Sequence, residues 1–167
     1  MEKIKTNLND CYILEPKRFG DDRGYFESIT IEQLHDLGFK EIVQINHSKS
    51  VKGTIRGLHF VVVDMREDSE TYGKWTSVLL TPENGRMLYV PRGFAHGFVA
   101  LKENTIFEYY IDNKYMPDHE AGIIWNDPDI NIDWQFEKYG IENPIFSEKD
   151  QKHLTLKKSP EYFREVL

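Results

Sequence analysis

Short runs of alternating apolar and polar residues, separated by turn-forming residues, occupy most of this 167-residue chain. A β-strand turns successive side chains to opposite faces, so many such runs in series predict a sandwich or barrel. The predicted strands are CYILE, YFESI, EIVQINHS, GTIRGLHF, VVVDMR, KWTSVLL, RMLYV, HGFVAL and TIFEYYI, and FGDDRG, TPENG and VPRG predict turns. The pattern favours an all-β barrel or jelly roll.

Two segments predict short helices, both peripheral to the strands. In TIEQLHDLGF, Thr30 is a favourable N-cap, Gln33 stands at the capping-box position and Gly38 is a stop signal. A last helix is predicted to start at Ser159, with Pro160 at its first helical position.

Length and charge limit the classes of function. The length suits a single domain, 1–167. A net charge of -7 argues against bulk nucleic-acid binding, which needs a basic face. No apolar run is long enough to cross a bilayer and the N-terminus has no signal-like apolar region, so we predict a soluble, cytoplasmic protein. The single cysteine, Cys11, suits a reducing compartment.

Isolated polar residues on apolar strands are the candidates for chemistry, because burying them is costly unless they are used. Strand alternation places Gln44 and Asn46 on a common face. In RGLHF it places Arg56 on one face and His59 on the other. Tyr109 is a further candidate, in the strand TIFEYYI.

These residues also have plainer interpretations. His59 and His96 could be structural histidines, and Tyr109 could be a core tyrosine that needs one partner for its hydroxyl. Arg23 and Arg56 could be ion-pair partners only. The residues alone leave both interpretations open.

Metal and dinucleotide sites are disfavoured by spacing. The chain has six histidines but no H-x-H pair, no HExxH and no Cys/His cluster. It also lacks G-x-G-x-x-G and P-loop motifs.

Several motifs in order resemble the dTDP-4-dehydrorhamnose 3,5-epimerase family, from about Tyr12 to about Leu154. They are FGDDRGYFES, VQINHSKSVKGTIRGLHF, VVVDMREDSETYGKW, YVPRGFAHGF, GIIWNDPDINIDW and FSEKD. The resemblance implies a cupin-type jelly roll, a homodimer, and no metal or organic cofactor. The implied substrate is a dTDP-4-keto-6-deoxy sugar on the route to dTDP-L-rhamnose.

The resemblance also implies roles for individual residues. His59 matches the catalytic base, Asp150 the carboxylate that orients it, and Tyr109 the general acid. The implied positions lining the sugar and its phosphates are Gln44, Asn46, Arg56, His96 and Tyr115, and those reaching into the neighbouring subunit's site are Phe19, Arg23 and Glu27.

These residue types suit the implied chemistry. Hydrogens at C3 and C5 are acidic because they flank the C4 ketone, and their removal gives an enolate. Imidazole has the near-neutral pKa that a reversible base needs, and a carboxylate such as Asp150 fixes its tautomer. A phenol on the opposite face returns the proton with inverted stereochemistry.

One segment departs from the family pattern. GLHF runs directly into VVVDMR, where the resemblance implies an intervening hairpin carrying an active-site lysine. Losing a cation beside the developing oxyanion is expected to lower the rate by about 10²–10³. Losing the hairpin is expected to open the barrel and expose strand edges. Smaller departures are Tyr110 in place of lysine and Glu70 in place of proline.

Three functions therefore stay open at this point. The first is double epimerisation, the second is a catalytically impaired sugar-nucleotide-binding paralogue, and the third is a mono-epimerase or ketoisomerase acting on the same substrate class.

Overall fold

The computed structural model of the chain describes residues 1–39, 41–116 and 121–159, and for residues 57–60 it describes the backbone alone. Strands dominate these ranges, which confirms the all-β prediction. The strands are β1 (Glu2–Lys5), β2 (Tyr12–Glu15), β3 (Arg18–Asp21), β4 (Gly24–Glu27), β5 (Gln44–Ser50), β6 (Ile55–Asp64), β7 (Trp75–Ser77), β8 (Met87–Tyr89), β9 (Phe94–Val99) and β10 (Thr105–Ile111).

The strands form small antiparallel sheets rather than one continuous barrel wall. Within the described ranges the strand orders are β1-β2-β8, β7-β6-β9, β10-β5 and β3-β4. The last two sheets contain only two strands each. A strand in such a ribbon leaves one of its backbone edges unpaired.

The apolar run after the predicted base continues the preceding strand. GTIRGLHF and VVVDMR, predicted as separate strands, both contribute to the single strand β6, Ile55–Asp64. Its register against β9 is interrupted, since Gly57 and Val61 both lie opposite Gly97. The backbone between these two positions therefore leaves the ladder, and the two halves of β6 resume pairing with the same neighbour.

The two faces of β6 pack into different cores. Val61 and Val63 belong to a cluster with Ile55 and Val99, against which the loops after residue 121 pack. Val62 turns the other way and packs with Leu8, Cys11 and Phe94. Burial raises the pKa of the Cys11 thiol to about 11, so this cysteine stays protonated at neutral pH.

The first predicted helix is present as α1 (Ile31–His35), with both halves of a capping box formed by Thr30 and Gln33. Gly38 follows it with a positive φ of 99°, a conformation that glycine adopts without strain. At the other end, Leu156–Lys158 form a 3-10 turn that Ser159 follows. The predicted last helix lies outside the described residues from Pro160 onward. No helix in the described ranges is both long and apolar enough to span a membrane.

Candidate active site

The ribbon of β5 and β10 carries three of the predicted site residues, and a fourth, Tyr115, is bonded to its end. Tyr109 lies directly opposite Asn46, so the two side chains share a face. On that face, Gln44 Nε2 donates a hydrogen bond to Asn46 Oδ1 at 2.7 Å. The Tyr115 backbone N–H donates to Gln44 Oε1 at 3.3 Å, which holds Tyr115 at the end of the ribbon.

A second sheet faces this ribbon across an aromatic contact. The rings of Phe98 on β9 and Phe107 on β10 lie 4.4 Å apart, and Phe107 contacts Tyr109 at 5.4 Å. Arg56 of β6 lies opposite Phe98 in the register, and His96 is two residues from it on β9. Both side chains therefore share the face that looks toward Tyr109 and Asn46.

Arg56 is attached to the ribbon itself. Its Nε donates to Ser50 Oγ at 3.1 Å, and Ser50 is buried on the same face of β5 as Asn46. This bond joins β6 directly to β5 at the Ser50 end of the ribbon. The guanidinium stays exposed, as an anion-binding group must.

His96 is exposed to solvent, yet it lies within dense surrounding protein. Desolvation by that protein lowers the pKa of His96, and a hydrogen bond with the Phe94 main chain opposes the shift. At neutral pH the ring is therefore mainly uncharged and able to hydrogen-bond a ligand.

Ser48 is a residue that sequence reasoning missed. It lies between Asn46 and Ser50 on the inward face of β5, and its Oγ is buried without a hydrogen-bond partner among the described residues. The period-2 pattern of QINHSKS already placed it beside Gln44 and Asn46. A ligand hydroxyl or carbonyl would satisfy its hydroxyl group.

The backbone brings the segments of the predicted base and its carboxylate together. Thr54 and Ile145 form a parallel bridge, and His59 and Asp150 each follow their bridge residue by five positions. Ile55 N donates to Ile145 O at 2.8 Å, which reinforces this junction. The His59 side chain lies outside the described residues, so its contact with Asp150 stays a prediction.

Asp150 is held within its own turn. Its Oδ2 accepts from Ser147 Oγ at 2.6 Å and from Ser147 N at 3.3 Å. His153 is a histidine on this segment that the sequence analysis did not single out. Burial lowers its pKa, and the nearby Asp150 carboxylate partly opposes that effect.

The three residues implied to serve a neighbouring subunit lie on the separate β3–β4 hairpin. Phe19 is exposed, opposite Phe26, which is also exposed. Arg23 is at the hairpin tip, paired with Asp21 at 2.5 Å. Glu27 faces its own chain, in an ion pair with Arg18 at 3.0 Å. The structure of one chain does not bring these residues to the β5–β10 face.

In the part of the chain that the structure describes, no three His, Cys, Asp or Glu residues cluster in a way that could hold a metal ion. The prediction that the protein needs no metal or cofactor stays a prediction.

Comparison with known proteins agrees with these features. The family model for dTDP-4-dehydrorhamnose 3,5-epimerase matches residues 5–62 and 60–158, two segments that meet within β6. The epimerase of Methanothermobacter thermautotrophicus is 41% identical over 180 residues, covering 95% of this chain and 96% of the relative. That alignment is longer than the 167-residue chain, so the relative has residues with no counterpart here.

Solved structures match over the same extent. The epimerase from Elizabethkingia anophelis superposes with a TM-score of 0.85 at 41% identity, covering 96% of this chain and 98% of that one. An epimerase from Legionella pneumophila in complex with dTDP-4-keto-L-rhamnose gives a TM-score of 0.82 at 34% identity, covering 93% of each chain. The expected cupin-type jelly roll is confirmed by these matches, and the chain belongs to the dTDP-4-dehydrorhamnose 3,5-epimerase family.

Proposed function

We propose that this protein epimerises C3 and C5 of a dTDP-4-keto-6-deoxyhexose, converting dTDP-4-dehydro-6-deoxy-D-glucose into dTDP-4-dehydro-L-rhamnose for dTDP-L-rhamnose biosynthesis. The observation that carries the proposal is Tyr109 beside Asn46, on a face that looks toward Arg56 and His96. Family membership supplies the substrate class, since relatives over nearly their full length are named for this reaction.

His59 is the proposed base and Asp150 the carboxylate that fixes its tautomer. The parallel bridge upstream of both residues supports their approach. The base takes the proton at C5 or C3, and electrons move into the C4 carbonyl to give an enolate. Tyr109 then donates its phenolic proton to the opposite face of the same carbon, which inverts it.

The other polar residues of this face are proposed to bind either the sugar or the phosphates of the substrate. Gln44, Asn46 and the unpartnered Ser48 hydroxyl offer hydrogen bonds to the sugar. Arg56 offers a planar fork that can hold two phosphate oxygens at once, and the neutral ring of His96 offers a further donor. We propose a single domain, 1–167, and a homodimer in which Phe19, Arg23 and Glu27 approach the neighbouring site.

The uninterrupted passage from GLHF into VVVDMR favours a second candidate, a sugar-nucleotide-binding paralogue of low activity. Its support is β6 itself, which runs through the point where the two family-model segments meet. If no other cation replaces the missing lysine, turnover is lower by about 10²–10³.

Hydrogen exchange in deuterated water tests the proposal. With the 4-keto-6-deoxy substrate, the wild-type protein is expected to exchange C3 and C5 hydrogens and to yield the inverted sugar by NMR. Tyr109→Phe is expected to lower product formation by about 10²–10⁴, because the returning proton has lost its donor.

Tyr110→Phe is the matched control. It removes the same atom from the next residue, whose hydroxyl bonds Glu108 on the outer face of the ribbon. Equal losses of product formation in Tyr109→Phe and Tyr110→Phe would contradict the role of Tyr109 as the proton donor. Ligand binding without exchange would favour the paralogue, exchange at one carbon a mono-epimerase, and a ketone moved to C3 a ketoisomerase.

A further inference from the structure

A buried hydroxyl group holds the side chain of Arg56 at one atom. Ser50 is the last residue of β5 and exposes 5% of its surface, and its Oγ accepts the hydrogen bond from Arg56 Nε at 3.1 Å. Arg56 is the second residue of β6 and is exposed. The bond therefore anchors an exposed cation to a group that is itself fixed in the interior.

The chain between these two residues is held by main-chain hydrogen bonds. Gly53 N donates to Ala100 O at 2.8 Å, and Ala100 N donates to Thr54 O at 2.9 Å. Gly53 has a positive φ of 83°, which glycine adopts without strain, so the chain turns sharply from β5 into β6. Because this turn is fixed, the Ser50 hydroxyl stays within reach of Arg56.

Arg56 differs from the other described arginines in its partners. Each of the others lies within 3.0 Å of a carboxylate oxygen, and these are Arg18, Arg23, Arg66, Arg86 and Arg92. Among the side chains that the structure describes, no carboxylate pairs with Arg56, and Nε is the one atom of its guanidinium that hydrogen-bonds. In a chain with a net charge of -7, an arginine without such a partner is suited to bind an anion from outside the chain.

We propose that Ser50 is a positioning residue for Arg56: by binding Nε it fixes the plane of the guanidinium, so that both terminal nitrogens meet the diphosphate of the nucleotide. The inference rests on the proposed function, which supplies the diphosphate. A guanidinium binds two phosphate oxygens at once only when its plane is correctly oriented, and a side chain that rotates freely must lose that freedom on binding. Ser50 acts through Arg56 and does not touch the ligand.

Steady-state kinetics and dTDP binding by calorimetry test this inference on the full chain. Ser50→Ala is expected to raise KM and the Kd for dTDP about tenfold, with kcat within about twofold of wild type, because the ligand must then order the guanidinium itself. Ser50→Cys keeps the size of the side chain but offers a weak acceptor, so a smaller increase is expected. It decides the question if Ser50→Ala does not fold. Unchanged Kd and KM values in the variant that folds would overturn the inference.

A double-mutant cycle separates positioning from direct contact. If Ser50 acts through Arg56, Ser50→Ala raises the Kd for dTDP in wild type but adds nothing in the Arg56→Met background. If the Ser50 hydroxyl binds the ligand directly, its effect persists in that background and the inference is wrong. A general disturbance of the ribbon would also persist there, so the cycle excludes a merely structural role.

Thr105→Val is the matched control. Thr105 lies directly opposite Ser50 in the ribbon, but its hydroxyl donates to the Lys102 main-chain carbonyl at 2.7 Å. Its KM and Kd are expected to stay at wild-type values, and a rise equal to that of Ser50→Ala would contradict a specific role for Ser50. If the wild type binds dTDP without turnover, the epimerase proposal fails while the Kd values still decide the role of Ser50. No dTDP binding at all would overturn both.

Discussion

Asp64 is a fully buried carboxylate whose oxygens are all engaged by neighbouring donors. Arg66 Nη2 lies 2.8 Å from Oδ2, and the hydroxyls of Ser69 and Thr71 donate to the same oxygen at 2.6 Å and 2.5 Å. Burial alone would raise the pKa of Asp64, but these donors outweigh it and lower the pKa from 3.8 to about 2. Arg66 also binds Asp10 at 2.8 Å, so the cluster ties β6 to the N-terminal segment.

The lowered pKa predicts how Asp64 contributes to stability across pH. Its contribution, about 2 kcal/mol, is fully present above about pH 5, where the unfolded chain is also ionised, and is lost as pH falls through about 2. Asp64→Asn is expected to reduce the free energy of unfolding by about 3 kcal/mol at pH 7 and to flatten its acid dependence. Urea denaturation between pH 2 and pH 7 measures both effects.

Asp112→Asn is the comparison for this prediction. Asp112 pairs with the exposed Arg92 at 2.9 Å, so its loss is expected to change stability by less than about 1 kcal/mol. Similar losses of unfolding free energy in the two variants would contradict the large contribution that we predict for Asp64.

The Asp64 cluster was not predicted from the sequence, although its residues are close together in the chain. All three donors lie within seven residues of Asp64, in DMREDSET. The pattern predicted a strand there, but the burial of Asp64 depends on β7, β9 and the N-terminal segment. Gln44, Asn46 and Tyr109 were predictable because alternation alone sets their face.

At the scale of single elements, α1 is stabilised by local interactions. Gln33 N donates to Thr30 Oγ1 at 3.3 Å, and Thr30 N donates to Gln33 Oε1 at 3.1 Å. None of its helical residues is buried, so packing adds little to it.

Thr30→Ala is therefore expected to unfold α1 locally while changing global stability by at most about 1 kcal/mol. Faster amide hydrogen exchange at residues 31–35, with exchange in β6 unchanged, is the expected result. Thr30→Ser, which keeps the hydroxyl, is the control. Slow exchange in the helix of Thr30→Ala would contradict the local origin of its stability.

Elements that depend on distant partners were predicted less well. The capping box of α1 could be predicted because three residues define it. The continuity of β6 could not, since its register jump is defined only by its pairing with Gly97. Contact between Arg18 and Gly85 joins positions far apart in the chain, and no periodic pattern marks it.

At the scale of the whole molecule, the exposed phenylalanine pair of the β3–β4 hairpin is the surface from which we predict self-association. Phe19 and Phe26 expose 55% and 65% of their surface on the β3–β4 hairpin, and Ile106 exposes 71% on the outer face of β10. Exposed apolar groups that cluster on one face mark interaction surfaces more often than scattered ones do.

We expect the protein to sediment as a dimer and Phe26→Ser to shift it toward monomer. The polar substitution removes a large apolar contact from the proposed interface while leaving the ion pair between Arg18 and Glu27 intact. Analytical ultracentrifugation over a concentration series measures the shift. Ile106→Ser is the control, because it lies on a different ribbon, and equal shifts in both variants would contradict a hairpin-mediated dimer.

The interruption in β6 has a consequence for how this scaffold tolerates change. Gly57 and Val61 both pair with Gly97, so β6 leaves its pairing with β9 and resumes it at the same residue of β9. The side chains before and after residues 58–60 therefore keep the same alternation between the two faces of the sheet. Chain added between these two positions need not change the face to which Val61 and the residues after it point. Lineages that gain or lose a segment there could thus preserve the surrounding core.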